Sequence, residues 1–102
     1  MNDQAQKSIK EVLSQLDYER IILFGSRARN DFSERSDYDI LIILRKSITI
    51  EEKMKILSNL RNQLAHKGID ADIILKSTDE VEYYKDKIGS VVKTALREGV
   101  AI

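Results

Sequence analysis

Two short apolar runs frame one polar stretch, and this spacing limits what the chain can become more than any other feature. The first run, Ile21-Ile22-Leu23-Phe24, ends in Gly25-Ser26. The second, Ile40-Leu41-Ile42-Ile43-Leu44, is headed by Asp37-Tyr38-Asp39. Apolar runs this short, bounded by turn residues, read as buried strands rather than helices. Strands are therefore expected over 21–24 and 38–44. Side chains alternate faces along a strand, so Asp37 and Asp39 are expected to point one way and Tyr38 the other. Two carboxylates so placed repel each other unless a cation sits between them. A hard divalent cation such as Mg²⁺ takes oxygen ligands, commonly one or two carboxylates plus substrate phosphates. Gly25 permits a tight turn and a close approach of backbone to phosphate. A phosphate-cradling turn beside a carboxylate pair is what metal-assisted phosphoryl or nucleotidyl transfer requires.

The rest of the chain supplies the scaffold. Ile9, Val12, Leu13 and Leu16 recur at helical spacing and predict an amphipathic first helix. A short helix is expected to start at Ser26. Thr49 and Glu52 have capping-box spacing and open a helix carrying Ile56, Leu57, Leu60 and Leu64, with Gly68 as its stop. Ile69 to Leu75 reads as a third strand. Ser77 and Glu80 form a second capping box for a helix around Val81 and Tyr84, and Ile88, Val91, Val92, Ala95 and Leu96 form a last helix ended by Gly99. The fold class that follows is a single small α/β (α+β) domain over 1–102, a mixed β-sheet with helices mainly on one face.

The motif Phe24-Gly25-Ser26, ten intervening residues, then Asp37-Tyr38-Asp39-Ile40 resembles the signature of the nucleotidyltransferase superfamily related to DNA polymerase beta. The variant Gly25-Ser26-Arg27-Ala28-Arg29 is similar to that of the minimal nucleotidyltransferases (MNT), many of them antitoxin halves of MNT–HEPN pairs. The resemblance is carried by residues 21–44 and extends more loosely over the whole chain. It implies a nucleotidyltransferase fold in which Asp37 and Asp39 hold catalytic metal, Mg²⁺ or Mn²⁺, and ATP is the donor. A third carboxylate comes from the next strand, where Asp70 and Asp72 would both lie on one face, so alternation does not choose between them. The family places that carboxylate directly before the apolar run, which points to Asp72 ahead of Ile73. Gly25 and Ser26 would bind phosphate through backbone and hydroxyl. Arg27 and Arg29 could each match phosphate oxygens, but two residues apart on a helix they diverge by about 200°, so one of them is expected to face the site. Asn30 stands where the family usually has Gly, and Asn tolerates positive φ better than most residues.

The function so implied is transfer of AMP from ATP to a hydroxyl, a tyrosine, on a HEPN-type toxin, with the chain acting as its antitoxin. Two other readings stand beside it. One is a catalytically weak module that masks the toxin. The other is a small-molecule nucleotidyltransferase working with a separate helical subunit. Retention of three carboxylates favours catalysis. Composition excludes more than it identifies. There are 17 basic and 17 acidic side chains, so no net field draws nucleic acid or a membrane surface to the chain. Cysteine is absent, which removes disulfides, thiolate nucleophiles and cysteine zinc sites. No secretory pattern opens the sequence and no apolar run could span a membrane, so the cytoplasm is the expected compartment. Little sequence follows the last helix, so an acceptor surface is expected from a partner, or from a second copy in a homo-oligomer. His66 reads as a helix-terminal residue rather than a catalyst.

Overall fold

The computed structural model describes residues 3–25 and 37–102. Helix α1 (Asp3–Leu13) buries Ala5, Ile9, Val12 and Leu13 on one stripe. Leu16, expected as the last rung of that stripe, lies past the helix end. Its N–H donates to the Leu13 carbonyl (3.0 Å), and its side chain still packs against the same core.

Strand β1 (Tyr18–Phe24) begins three residues before the apolar run. Tyr18 pairs with Leu44 and Arg20 with Ile43, with an irregularity between them. Glu19 and Arg20 are exposed and Tyr18 only partly buried against the larger core, which is why apolarity alone marks only 21–24. Strand β2 (Tyr38–Leu44) has the expected limits. Helix α2 (Ile50–His66) starts at Thr49, whose hydroxyl accepts the Glu52 N–H (3.1 Å) and donates to Glu52 Oε1 (3.0 Å). It ends where Gly68 adopts φ +76° and the Ile69 N–H returns to the Leu64 carbonyl (2.9 Å), a stop that positive φ makes available to glycine.

Strand β3 is Ala71–Ser77, shifted towards the C-terminus from the expected 69–75. Helix α3 (Thr78–Tyr84) follows at once, held by a reciprocal capping box: the Glu80 N–H donates to Ser77 Oγ (3.2 Å) and the Ser77 N–H to Glu80 Oε1 (3.1 Å). Helix α4 (Val91–Glu98) is capped by Ser90, whose hydroxyl accepts from the N–H groups of Val92 and Lys93. Ile88 was expected inside this helix. It lies outside it and is 95% exposed, so its place in the apolar period was coincidental. A two-residue strand β4 (Val100–Ala101), which the sequence reading did not anticipate, pairs antiparallel with Ile22 and Leu23.

The sheet has the order β3-β2-β1-β4, antiparallel except for β2 and β3. The parallel β2–β3 pair needs a crossover, and α2 provides it. Ile21, Leu23, Ile40, Ile42, Ile73 and Leu75 face α1 and α2 in the larger core. Ile22, Phe24, Leu41 and Ile43 face the other way, where Ala95 of α4 and Val81 of α3 cover them in a smaller cluster. The α/β class with a mixed sheet is as expected, with the main helical layer on one face and a lighter one on the other. Among the described residues no helix is long and apolar enough to cross a membrane.

Candidate active site

The carboxylates gather at one end of the sheet because β2 and β3 run parallel and in register. Asp39 pairs with Asp72 across that ladder, and with Phe24 on its other side. Their strand neighbours Tyr38, Ile40 and Ile73 point into the larger core, so Asp39 and Asp72 project from the opposite face, the one shared with Phe24. Asp39 is half-buried and Asp72 exposed. Asp70 precedes β3 rather than lying on it. Its carbonyl accepts the Tyr38 N–H (2.9 Å), so its backbone starts the ladder while its side chain is exposed. Cross-strand register thus separates two residues that alternation within one strand could not.

Asp37 lies one residue before β2 and is exposed. It lines a cleft of about 370 Å³ together with Asp70 and with Arg61, Asn62 and Ala65 of α2. Arg61 and Asn62 have no local sequence signal that would put them here; the packing of α2 through Leu60 and Leu64 does so.

Gly25 ends β1 with φ +74°, in the left-handed region that favours glycine. A Cβ built there would fall on Asp39 Oδ2 and lie 3.1 Å from Asp39 Cγ. The glycine therefore does two things at one point: it turns the chain away from the sheet, and it leaves the space that the Asp39 carboxylate occupies. Ser26, Arg27 and Arg29, expected to bind nucleotide, and Asn30 lie outside the described residues, as does the short helix expected from Ser26.

Among the described residues no group of three His, Asp or Glu side chains stands assembled as a metal cage. The donor set nevertheless suits Mg²⁺. This ion keeps several waters and is bound through one or two carboxylates plus substrate phosphates rather than through an all-protein cage. An in-register carboxylate pair, with backbone cleared at Gly25, fits that mode. The groups with shifted acidity lie elsewhere. Glu80 is at the other end of the sheet: partial burial pushes its pKa up, but the Ser77 N–H, Lys53 and Lys76 together hold it below the ordinary glutamate value. Lys85 is raised by its hydrogen bond and charge pairing with Glu82, on the surface. His66 is exposed in the last turn of α2.

Comparison with known proteins bears on the family and the fold. The family model "Polymerase beta, Nucleotidyltransferase" matches residues 7–99. A Methanocaldococcus jannaschii protein named "Putative protein adenylyltransferase" is 42% identical over 73 residues, 65% of this chain and 74% of that one. A second protein of that name from the same organism is 48% identical over 44 residues, 37% of this chain and 44% of its own length. Among solved structures, a nucleotidyltransferase from Sulfolobus solfataricus, titled putative, is 30% identical with a TM-score of 0.57, covering 81% of this chain and 73% of that one. The "Structure of putative minimal nucleotidyltransferase" superposes with a TM-score of 0.62 over 97% of this chain and 90% of that one; at 20% identity it speaks for the fold alone.

Proposed function

This chain belongs to the polymerase beta nucleotidyltransferase family, and we propose that the reaction it carries out is transfer of AMP from ATP to a hydroxyl group of a partner protein. Enzymes of the family use a nucleoside triphosphate and a divalent cation. The observation that carries the reading is the register of Asp39 against Asp72 beside the clearance at Gly25. That arrangement offers oxygen ligands and open backbone at one place. The name of the Methanocaldococcus jannaschii relative supports a protein as acceptor.

Asp37, Asp39 and Asp72 would hold Mg²⁺, or Mn²⁺ in its place. The cation supplies neutralisation of the triphosphate charge and activation of the acceptor hydroxyl. The chain's own part is positional. The turn at Gly25, with Ser26 and one of Arg27 and Arg29, holds the phosphates. In the transfer, the acceptor oxygen bonds to the α-phosphorus of ATP. The bond from that phosphorus to the oxygen bridging to the β-phosphate breaks, and pyrophosphate leaves. The hydroxyl proton passes to a carboxylate of the site and on to water.

For the acceptor we propose a tyrosine of a HEPN-type toxin, with this chain as the antitoxin in the cytoplasm; the support is the Gly25-Ser26-Arg27-Ala28-Arg29 motif that it shares with minimal nucleotidyltransferases. The experiment is co-expression with a HEPN-type toxin protein, followed by intact-mass spectrometry. A gain of one or more AMP units that disappears with Asp37→Asn supports the reading. A tight complex with no gain in mass, and equal neutralisation by Asp37→Asn, replaces it with simple masking of the partner.

A further inference from the structure

The cleft beside Asp37 has a feature that donor binding does not use. Asp37 and Asp70 line it with Arg61 and Asn62; Ala65, Ile69 and Ala71 complete the lining. Arg61 is exposed and makes no ion pair among the described residues. Two acidic residues and one arginine thus border a space of about 370 Å³, and no ion pair joins Arg61 to Asp37 or Asp70 across it. That volume lies within the range of small-ligand and side-chain pockets, roughly 300–1,000 Å³.

The position of the cleft matters as much as its charges. Asp39 and Asp72 project from the sheet face shared with Phe24, where Gly25 leaves the backbone open. The cleft is bounded instead by α2, which packs on the other face. Asp37 stands at the junction of the two. A donor seated at Gly25 and an acceptor entering past α2 would meet at this residue. An entering group that donates a hydrogen bond suits the carboxylates, since an ionised carboxylate only accepts. Arg61 favours an anion, since its planar fork matches a carboxylate through two parallel hydrogen bonds. One ligand meets both demands: a hydroxyl-bearing side chain with an acidic residue close to it in the same segment.

We propose that Arg61, assisted by Asn62, is a specificity-determining residue that receives an Asp or Glu flanking the acceptor hydroxyl. This rests on the adenylyl-transfer reading above. The acceptor is therefore a protein segment in which the modified tyrosine has an acidic neighbour, and Arg61 acts on acceptor binding rather than on ATP.

The test uses the full chain with ATP, Mg²⁺ and three synthetic tyrosyl peptides, identical but for acidic, neutral or basic residues flanking the tyrosine. AMP incorporation is read by mass spectrometry, and ATP affinity by calorimetry. The acidic peptide should be modified with the lowest KM. Arg61→Ala should raise that KM about tenfold or more, as expected for loss of a hydrogen-bonded charge pair, with ATP affinity unchanged. Arg61→Glu should turn the preference to the basic peptide, and Arg61→Lys should restore part of the acidic preference. Equal KM for the three peptides, or no response to Arg61→Ala, overturns the subsite alone. So does loss of ATP affinity in Arg61→Ala, which would make Arg61 a nucleotide contact. Transfer to none of the peptides counts against the adenylyl-transfer reading, and the subsite falls with it.

Discussion

Gly25→Ala separates the two roles of this glycine, because the fold supplies a matched control. Gly25 and Gly68 have nearly the same backbone, φ +74° and +76°. A Cβ at Gly68 meets nothing within 4 Å, whereas one at Gly25 falls on the Asp39 carboxylate. Both alanines suffer left-handed strain of about 1–2 kcal/mol, partly offset by about 0.4–1 kcal/mol from the stiffer unfolded chain. Each should therefore lose about 1 kcal/mol, a fall of roughly 4–8 °C in Tm for a domain of this size. Only Gly25→Ala must also move Asp39. A displacement near 1 Å at a reacting centre can cost on the order of a hundredfold in rate, equal to about 2.7 kcal/mol of barrier. Thermal melts and AMP-transfer kinetics on both variants test this. Gly68→Ala should lose stability and keep its activity; Gly25→Ala should lose both. Full activity in Gly25→Ala, or an equal loss in Gly68→Ala, would refute the role given to the space beside Asp39.

Three further outcomes are expected. Asp72→Asn should lower AMP transfer about a hundredfold or more while Asp70→Asn, which lies off β3, costs far less; steady-state kinetics on the pair would reverse the assignment if the order were the opposite. Because the native state holds the Glu80 pKa below its ordinary value of 4.5, the unfolded chain takes up the proton first as pH falls. The stability due to Glu80 is thus complete above the ordinary glutamate range and lost on acidification through it, so urea midpoints of wild type and Glu80→Gln should differ at pH 7 and converge near pH 3. Leu64 is fully buried between α2 and the sheet, and Leu64→Ala should cost about 2–5 kcal/mol by leaving a cavity, measured by denaturant unfolding.

Local signals in the sequence were enough wherever the determinant itself was local. β2 follows from the apolar run Ile40–Leu44 with Tyr38 in phase ahead of it, and the starts of α2 and α3 from Thr49 and Ser77 with an acid three residues on. Elements whose existence depends on a neighbour were not legible. Val100 and Ala101 carry no strand pattern of their own. They form β4 because Gly99, with Ile22 and the Leu23 carbonyl where a Cβ would be, lets the chain close against β1. Tyr18 to Arg20 join β1 only because Leu44 and Ile43 lie opposite. The same distinction runs through the site. The carboxylates and the glycine turn could be named from spacing, and the preference for Asp72 over Asp70 comes from the family resemblance; that Asp72 and not Asp70 lies opposite Asp39 is read from the β2–β3 register, and Arg61 is near Asp37 only because α2 packs as a crossover.

The central claim, that the in-register carboxylates serve adenylyl transfer, is met most directly by following the two ends of the triphosphate separately. Wild type and Asp39→Asn, each co-expressed with a HEPN-type protein as the proposed acceptor and supplied with Mg²⁺, are given ATP labelled at the α-phosphate or at the γ-phosphate, and label on that protein is counted. The account predicts α-label on the partner with wild type, no γ-label, and neither with Asp39→Asn at comparable Tm. Incorporation of γ-label, or equal α-label with Asp39→Asn, would contradict it.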